Sequence, residues 1–330
     1  MRKFTGLEYI QIDIANQFGM DKKSWDERIS WTKKNDSMLE KLQNMASEPI
    51  LYASAVHALR DAQNSIPTGF IMGLDATASG IQIMAALMGC PVTAYNTNLT
   101  TSPNREDVYQ TITDEMNTIT GHTYDRKEIK HPVMTTFYGS KKQPQELFGE
   151  KTEELSAFYD SLERFLPGAM ECMEDLQSCW QGEALEHSWT MPDGHVVHIP
   201  VMEPVDKKIE VDELNHATFT HRAWVNTPSK KGLSLAANVI HSIDGWMVRE
   251  MYRRAQDQEF HLLTIHDSFW ASPNFMDNVR QNYLDILIEI ADSNLLENIL
   301  REVTGNTSLV LSKTTTTLSK HMTKAEYALS

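Results

Sequence analysis

Hydrophobic positions along this chain follow two rhythms. In two places they form short runs, Ile71-Met72-Gly73-Leu74 and Leu262-Leu263-Thr264-Ile265, the form of strands buried within a sheet. Each run ends on a carboxylate: Asp75 after the first, and Asp267 after the second, where His266-Asp267-Ser268-Phe269-Trp270 turns the chain back. Ser79 and Gln82 then have the spacing of a capping box ahead of an apolar run, so a helix is expected to open just past Asp75. Elsewhere the rhythm is helical. Residues 1–66 read as helices, Trp25 to Ala46 among them, and Gln63-Asn64-Ser65-Ile66-Pro67 joins them to the first strand. Helical sequence also spans Tyr159 to Leu176 with a break or kink at Pro167-Gly168, about Leu233 to Gln258, and most of the chain from Asp277 onward. Trp189–Ile199 and Ala217–Val225 are β-like stretches in a mixed region, 92–235. The pattern predicts an α/β (α+β) protein.

Arg126, Lys130, Met134 and Tyr138 recur every four residues, with Gly139 just beyond, which puts two cations and a phenol on one helical face. Cations at one end suit phosphates and an aromatic at the other suits a base, so a nucleotide is expected to lie along this face. Asp75 and Asp267, brought together, can hold divalent metals. Magnesium prefers oxygen ligands, and the small side chain of Ala76 leaves its main-chain carbonyl open to join them. Taken singly, such an Asp more often caps a turn, such cations more often sit in solvent, and such a Tyr is more often core. Joint occurrence argues for a site. His241, Asp244 and Gly245 share another helical face, where a glycine costs about 1 kcal/mol and predicts a backbone or a ligand passing close. Pro132, inside the cationic helix, predicts a kink or a later start.

In chain order, Asp75-Ala76-Thr77-Ala78-Ser79-Gly80-Ile81-Gln82, then Arg126…Lys130…Val133-Met134…Tyr138-Gly139-Ser140-Lys141, then His241-Ser242-Ile243-Asp244-Gly245, then Ile265-His266-Asp267-Ser268-Phe269 resemble the motifs of one family. It is the phage-type single-subunit RNA polymerases, which include the mitochondrial enzymes. Gly19-Met20-Asp21-Lys22, Asp26-Glu27-Arg28-Ile29 and Trp189-Thr190-Met191-Pro192-Asp193-Gly194 are similar to further segments of it.

The resemblance implies a right-hand polymerase palm and fingers: 1–66 a helical palm insertion, 67–91 the first part of the palm, 92–241 the fingers, 242–295 the second part of the palm, 296–330 a foot-like segment. It implies DNA-directed RNA synthesis, a nucleotidyl transfer using two magnesium ions held by Asp75, Ala76 and Asp267. Arg126 and Lys130 would contact the triphosphate, Lys130 also protonating departing pyrophosphate, and Lys22 would be another triphosphate contact. Tyr138 with Gly139 would sense the sugar and place the template base, and His241 would lie near the 2′-hydroxyl. Gly80, where family-A DNA polymerases carry a bulky Glu, favours ribonucleotides, and His266 would orient Asp267 and primer. His131 departs from the pattern, standing where a second basic residue is common.

In the family a promoter-reading domain, thumb and first palm segment come before the segment similar to Gly6-Leu7-Glu8-Tyr9, so the resemblance implies the larger subunit of split, two-subunit phage enzymes, with truncation of a longer chain as the alternative. The partners implied are DNA template, RNA product, nucleoside triphosphates, a smaller subunit supplying thumb and upstream palm, and a single-stranded-DNA-binding recruitment factor. The implied location is the cytoplasm of an infected bacterial host. The alternatives are a primase or family-A-like DNA polymerase core, or a non-catalytic polymerase-like scaffold.

Composition adds limits. The 330 residues are 41% hydrophobic and 23% charged, ordinary globular values, and no apolar run approaches the roughly 20 residues of a membrane span. A soluble intracellular protein is expected, with no membrane partner, and Cys90, Cys172 and Cys179 are expected to be reduced structural thiols. A net charge of −15 opposes general attraction to DNA, so any basic track must be local. Its candidates are Lys22-Lys23, Arg126-Lys127-Lys130, Lys141-Lys142, Lys207-Lys208, Lys230-Lys231 and Arg253-Arg254. Lys207–Trp224, within 201–227, is expected to form a protruding ribbon in the place of the family's promoter-reading loop.

Overall fold

The structure is a computed structural model that describes residues 1–102, 104–201, 203–225 and 233–330. Its strands are β1 Met72–Asp75, β2 Glu186–Thr190, β3 Val196–Pro200, β4 Glu203–Val211, β5 Ala217–Val225, β6 Leu263–Ile265 and β7 Ser268–Ala271. The helices before β2 are α1 Gly6–Ala15, α2 Trp25–Lys34, α3 Leu39–Leu42, α4 Pro49–Gln63, α5 Ser79–Met88, α6 Pro91–Asn96, α7 Val108–Thr120, α8 Arg126–Phe137, α9 Lys142–Phe148, α10 Glu153–Phe165 and α11 Pro167–Ser178. After β5 come α12 Leu233–Asp257, α13 Met276–Asp292, α14 Leu295–Thr304 and α15 Leu318–Met322.

The two carboxylate-bearing runs meet in one antiparallel sheet ordered β1-β7-β6. Met72 pairs with Ala271, Leu74 with Phe269 and Asp75 with Ser268, while Ile265 pairs with Ser268 across the hairpin. Because side chains alternate across a sheet, Met72, Leu74, Phe269 and Ala271 fall on one face, and all four are buried. The opposite face holds Gly73, Asp75 and Trp270. A β-carbon at Gly73 would collide with the Trp270 indole, so only glycine lets that ring lie across the strand.

Behind the sheet α5 is apolar all round. Its residues Ile81 to Met88 are all buried, and it packs between α11, α12 and α13. Ser79 does not cap it: Ala78 is the N-cap residue and no side chain caps the helix. Gln82 is spent instead on tying segments together. Its amide donates to Thr77 Oγ1, the Thr97 carbonyl and the Ala328 carbonyl at 2.9, 2.8 and 3.0 Å, and its carbonyl accepts from the Tyr283 hydroxyl at 2.7 Å. A capping-box pattern reads the same from sequence whether the Gln turns back to the cap or, as here, into the core.

Other expectations need adjustment. The helical run from Trp25 breaks after Lys34 into short turns around α3. Trp189–Ile199 is a hairpin, β2 with β3, turning at Gly194, whose φ of 81° suits only glycine well. The break at Pro167-Gly168 is the α10–α11 junction, and α13, α14 and α15 follow Asp277 as expected, although 305–317 carry no helix. β4 and β5 form the expected ribbon, with none of its described side chains buried. Cys90, Cys172 and Cys179 are free thiols, the first two buried. No helix among the described residues is long and apolar enough to cross a membrane.

Candidate active site

The sheet register brings the backbones of Asp75 and Asp267 to neighbouring positions. Asp75 ends β1 opposite Ser268, and the next amide, Ala76 N–H, donates to the Asp267 carbonyl at 3.1 Å. A C-terminal bridge flanks them, with Thr77 N–H donating to Ala328 O and Ser330 N–H to Asp75 O at 3.3 and 2.9 Å. Neither bond uses the Ala76 carbonyl. Asp75 is exposed and Asp267 half-buried, so an all-oxygen set of two carboxylates and one unspent carbonyl faces outward. Hard oxygen donors of this kind fit magnesium.

From α12 comes a third carboxylate, Asp244, half-buried near Asp267. Burial first, and the charge of Asp267 second, push its carboxyl up to about 6, against a smaller opposing effect of His266. Sequence reasoning quoted Asp244 in its motif without giving it a role.

Asp244 and Asp267 line a cavity of about 470 Å³ together with Ala76 to Ile81, Lys130, Met134, Tyr138, His241, Gly245 and His266, while Asp75 stands one residue before that lining. The rings of Tyr138 and His241 are 4.9 Å apart, and burial, followed by the nearby Asp244 and Asp267 charges, raises the Tyr138 phenol above its ordinary pKa. A β-carbon at Gly80 would stand 3.6 Å from the Tyr138 hydroxyl and 3.5 Å from Ile240, so any longer side chain would project into the same space. At Gly245 a β-carbon would meet only the Arg249 guanidinium, at 3.6 Å; no backbone crowds it, and of the two expected neighbours only a ligand remains. His266 holds φ at 55°, the turn that presents Asp267. A larger cavity of about 600 Å³, around Trp246, Ser293 and Arg301, contains none of these groups.

Of the expected cations, Lys130 alone lines the cavity. The helix α8 begins at Arg126 under a capping box of Asp125 and Glu128 and continues through Pro132, so no later start occurs. Gly139 follows its end with φ at 86°. Lys130 Nζ and Arg126 Cζ lie 5.5 and 5.4 Å from the Tyr109 ring centroid. Only Lys130 reaches the cavity lining. Arg126 is drawn aside, its Nε and Nη2 donating to the two oxygens of Asp107 at 2.7 and 3.0 Å.

Lys22 is likewise paired, with Asp21 at 2.6 Å, and lies outside the cavity lining. Burial and the nearby Arg105 charge both lower its pKa, while Asp21 opposes them. Its turn is clamped by the buried Arg28, which donates to the carbonyls on either side, Asp21 and Lys23, at 2.7 and 2.8 Å. Burial brings the Arg28 guanidinium down to about 9. Arg105, Asp107 and Tyr109 were missed from sequence. The readable signal was Asp107 three residues before Gln110, an N-cap spacing that the structure realises on α7.

Part of the expected basic track is neutralised. Arg253 and Arg254 are bound to Glu250, Asp257 and Glu289, and Lys142 to Glu146. Lys230-Lys231 lies outside the described residues.

A family model described as DNA-dependent RNA polymerase matches residues 3–154 and 145–329. The mitochondrial DNA-directed RNA polymerase 1 of Arabidopsis thaliana is 24% identical over 90% of this chain and 36% of its own length. The mitochondrial DNA-directed RNA polymerase of Schizosaccharomyces pombe is 21% identical over 90% of this chain and 31% of its own. The chain thus spans about a third of these relatives. Among solved structures, the POL domain of Pol1 from M. smegmatis, in complex with DNA primer-template and dNTP, is 11% identical with a TM-score of 0.39, over 88% of this chain and 64% of that one. With a family model covering nearly every residue and the motif carboxylates on adjoining strands, the chain belongs to the phage-type DNA-dependent RNA polymerase family.

Proposed function

We propose that this chain carries the nucleotidyl-transfer site of a DNA-templated RNA polymerase, adding nucleoside monophosphates from triphosphates to an RNA 3′-hydroxyl. The observation that carries it is the convergence of Ala76, Asp267, Lys130, Tyr138 and His241 on one cavity from four separate stretches of sequence, with Asp75 directly before Ala76 at the end of β1. Asp75, Asp267 and the Ala76 carbonyl would hold magnesium, which when bound supplies positive charge for the attacking and leaving oxygens. Lys130 enters from the opposite wall, placed to bind the triphosphate and to hold the proton that pyrophosphate needs on leaving. Tyr138 and His241, in ring contact, form the end that reads the sugar, and the absence of a side chain at Gly80 leaves room for a ribose there.

The chain works, on this reading, with a smaller partner supplying thumb and upstream palm. One feature supports it: the edge strand β6 leaves Leu263 and Ile265 at 47% and 55% exposure. Exposed apolar edge strands invite pairing with further chain.

The test is extension of an RNA primer annealed to DNA, with and without the upstream partner. Magnesium-dependent incorporation of ribonucleotides in preference to deoxyribonucleotides, requiring both chains, is expected. Incorporation of deoxyribonucleotides alone would make this a DNA polymerase, no incorporation by the assembled pair would remove the catalytic reading, and full elongation by this chain alone would remove the partner.

A further inference from the structure

The pair between Arg126 and Asp107 is bidentate, using the Nε and Nη2 edge of the guanidinium, which is also the edge that binds a phosphate most strongly. Both groups are sheltered, at 30% and 16% side-chain exposure, so the bond is little weakened by solvent. Asp107 is itself fixed. It caps α7 by accepting the Gln110 amide, and α7 packs along α8, so the carboxylate cannot follow the guanidinium into the cavity. Arg126 starts α8 on the same face as Lys130 and Tyr138, yet it is missing from the cavity lining that both of them share.

We infer that Asp107 is a built-in competitor of the triphosphate: it parks Arg126 outside the cavity in the free chain, and nucleotide binding exchanges the Asp107 carboxylate for a phosphate. The inference rests on the reading of Arg126 as a triphosphate ligand and adds to it a residue that sets affinity without touching substrate. Asp107 is in this sense a positioning residue. Arg105 lies close enough that Asp107 and Asp21 both favour its charged form, so the carboxylate keeps one cationic neighbour when Arg126 leaves. The exchange therefore strands no unpaired buried acid. Its consequence is selectivity by charge: a ligand must bring enough negative charge to outcompete a preformed carboxylate, which a triphosphate does better than a diphosphate or a monophosphate.

The test is a double-mutant cycle read by binding, using the full chain with ATP and magnesium and titration calorimetry. Asn is as good an N-cap as Asp, so Asp107→Asn keeps α7 while removing the charge that holds Arg126. Asp107→Asn should lower the dissociation constant about fivefold or more, Arg126→Ala should raise it, and in the Arg126→Ala background Asp107→Asn should change nothing. Weaker ATP binding in Asp107→Asn, or an effect of equal size with and without Arg126, would overturn the proposal while leaving Arg126 a ligand. Unchanged affinity in Arg126→Ala would overturn both it and the reading beneath it. ADP gives the selectivity readout: the ratio of ADP to ATP dissociation constants should narrow in Asp107→Asn, and an unaltered ratio counts against the exchange.

Discussion

The two walls of the cavity solve opposite electrostatic problems. On the sheet side Asp244 and Asp267 face one cavity with no ion pair to either among the described residues, and Asp244 is pushed up to about 6, by burial first and by the Asp267 charge second. On the helical side Lys130 leans on an aromatic ring, and the cations outside the lining, Lys22 and Arg126, each hold a partner acid, Asp21 and Asp107. One wall is left short of positive charge, the state that a metal relieves. The other is neutralised in advance, so it gives up its cations only to a ligand more strongly charged than a carboxylate. The lesson is that motif residues mark where charge is needed, while their counter-ions decide when it becomes available.

If the sheet side is the catalytic wall, charge removal there strikes the chemical step. Asp75→Asn or Asp267→Asn should lower kcat for RNA primer extension at least about a hundredfold, since a lost metal ligand costs several kcal/mol at the transition state. Lys130→Ala, on the helical side, should chiefly raise KM. Equal kcat losses from both walls would erase the distinction.

The uncompensated charge should also appear in stability. The raised Asp244 carboxyl favours its protonated form in the folded chain, so its stabilising contribution is complete below 3.8 and is lost as pH rises through about 6. In the metal-free chain Asp244→Asn should therefore raise stability at pH 8 by roughly 2 kcal/mol and flatten the decline between those pH values. Denaturant unfolding at pH 4 and pH 8 measures it. A wild-type chain that gains stability over this range relative to the variant would refute the sign.

A smaller effect belongs to the end that joins the walls. Tyr138→Phe should narrow the ribose-to-deoxyribose preference about tenfold in kcat/KM while slowing ribonucleotide addition less. An unchanged preference would confine Tyr138 to packing against His241. The least effect on this comparison should come from the ribbon: deleting its tip, 212–216, should leave primed extension within about twofold and impair initiation on a specific template, because none of its described side chains is buried. Equal loss of both activities would make the ribbon a structural part of the cavity.

What could be read from sequence follows the same division. Asp75, Asp267 and the Arg126-to-Tyr138 face were legible because their spacing is local: strand ends and a four-residue helical period survive any arrangement of the rest. The pairing of β1 with β7 was not legible, since the run that ends at Asp267 is β6 and the strand laid against β1 is the one after the turn. Asp107 was not legible as the partner of Arg126, since a bond across 19 residues between two helices leaves no periodic trace. Gln82 misled for a related reason. Its local spacing satisfied a capping box, whereas its four partners lie on Thr77, Thr97, Tyr283 and Ala328. Of the acids that bind Arg253 and Arg254, Glu250 and Asp257 stand at readable helical spacings on α12, whereas Glu289, which binds Arg254, arrives from α13 and left no trace.

The central claim is that the carboxylate wall is a metal site that the nucleotide completes. Counting manganese bound to the full chain by electron paramagnetic resonance, with a non-hydrolysable nucleoside triphosphate present, tests it without depending on turnover. The account predicts two ions in the wild-type chain and the loss of at least one in both Asp75→Asn and Asp267→Asn. The same count in all three chains would contradict it.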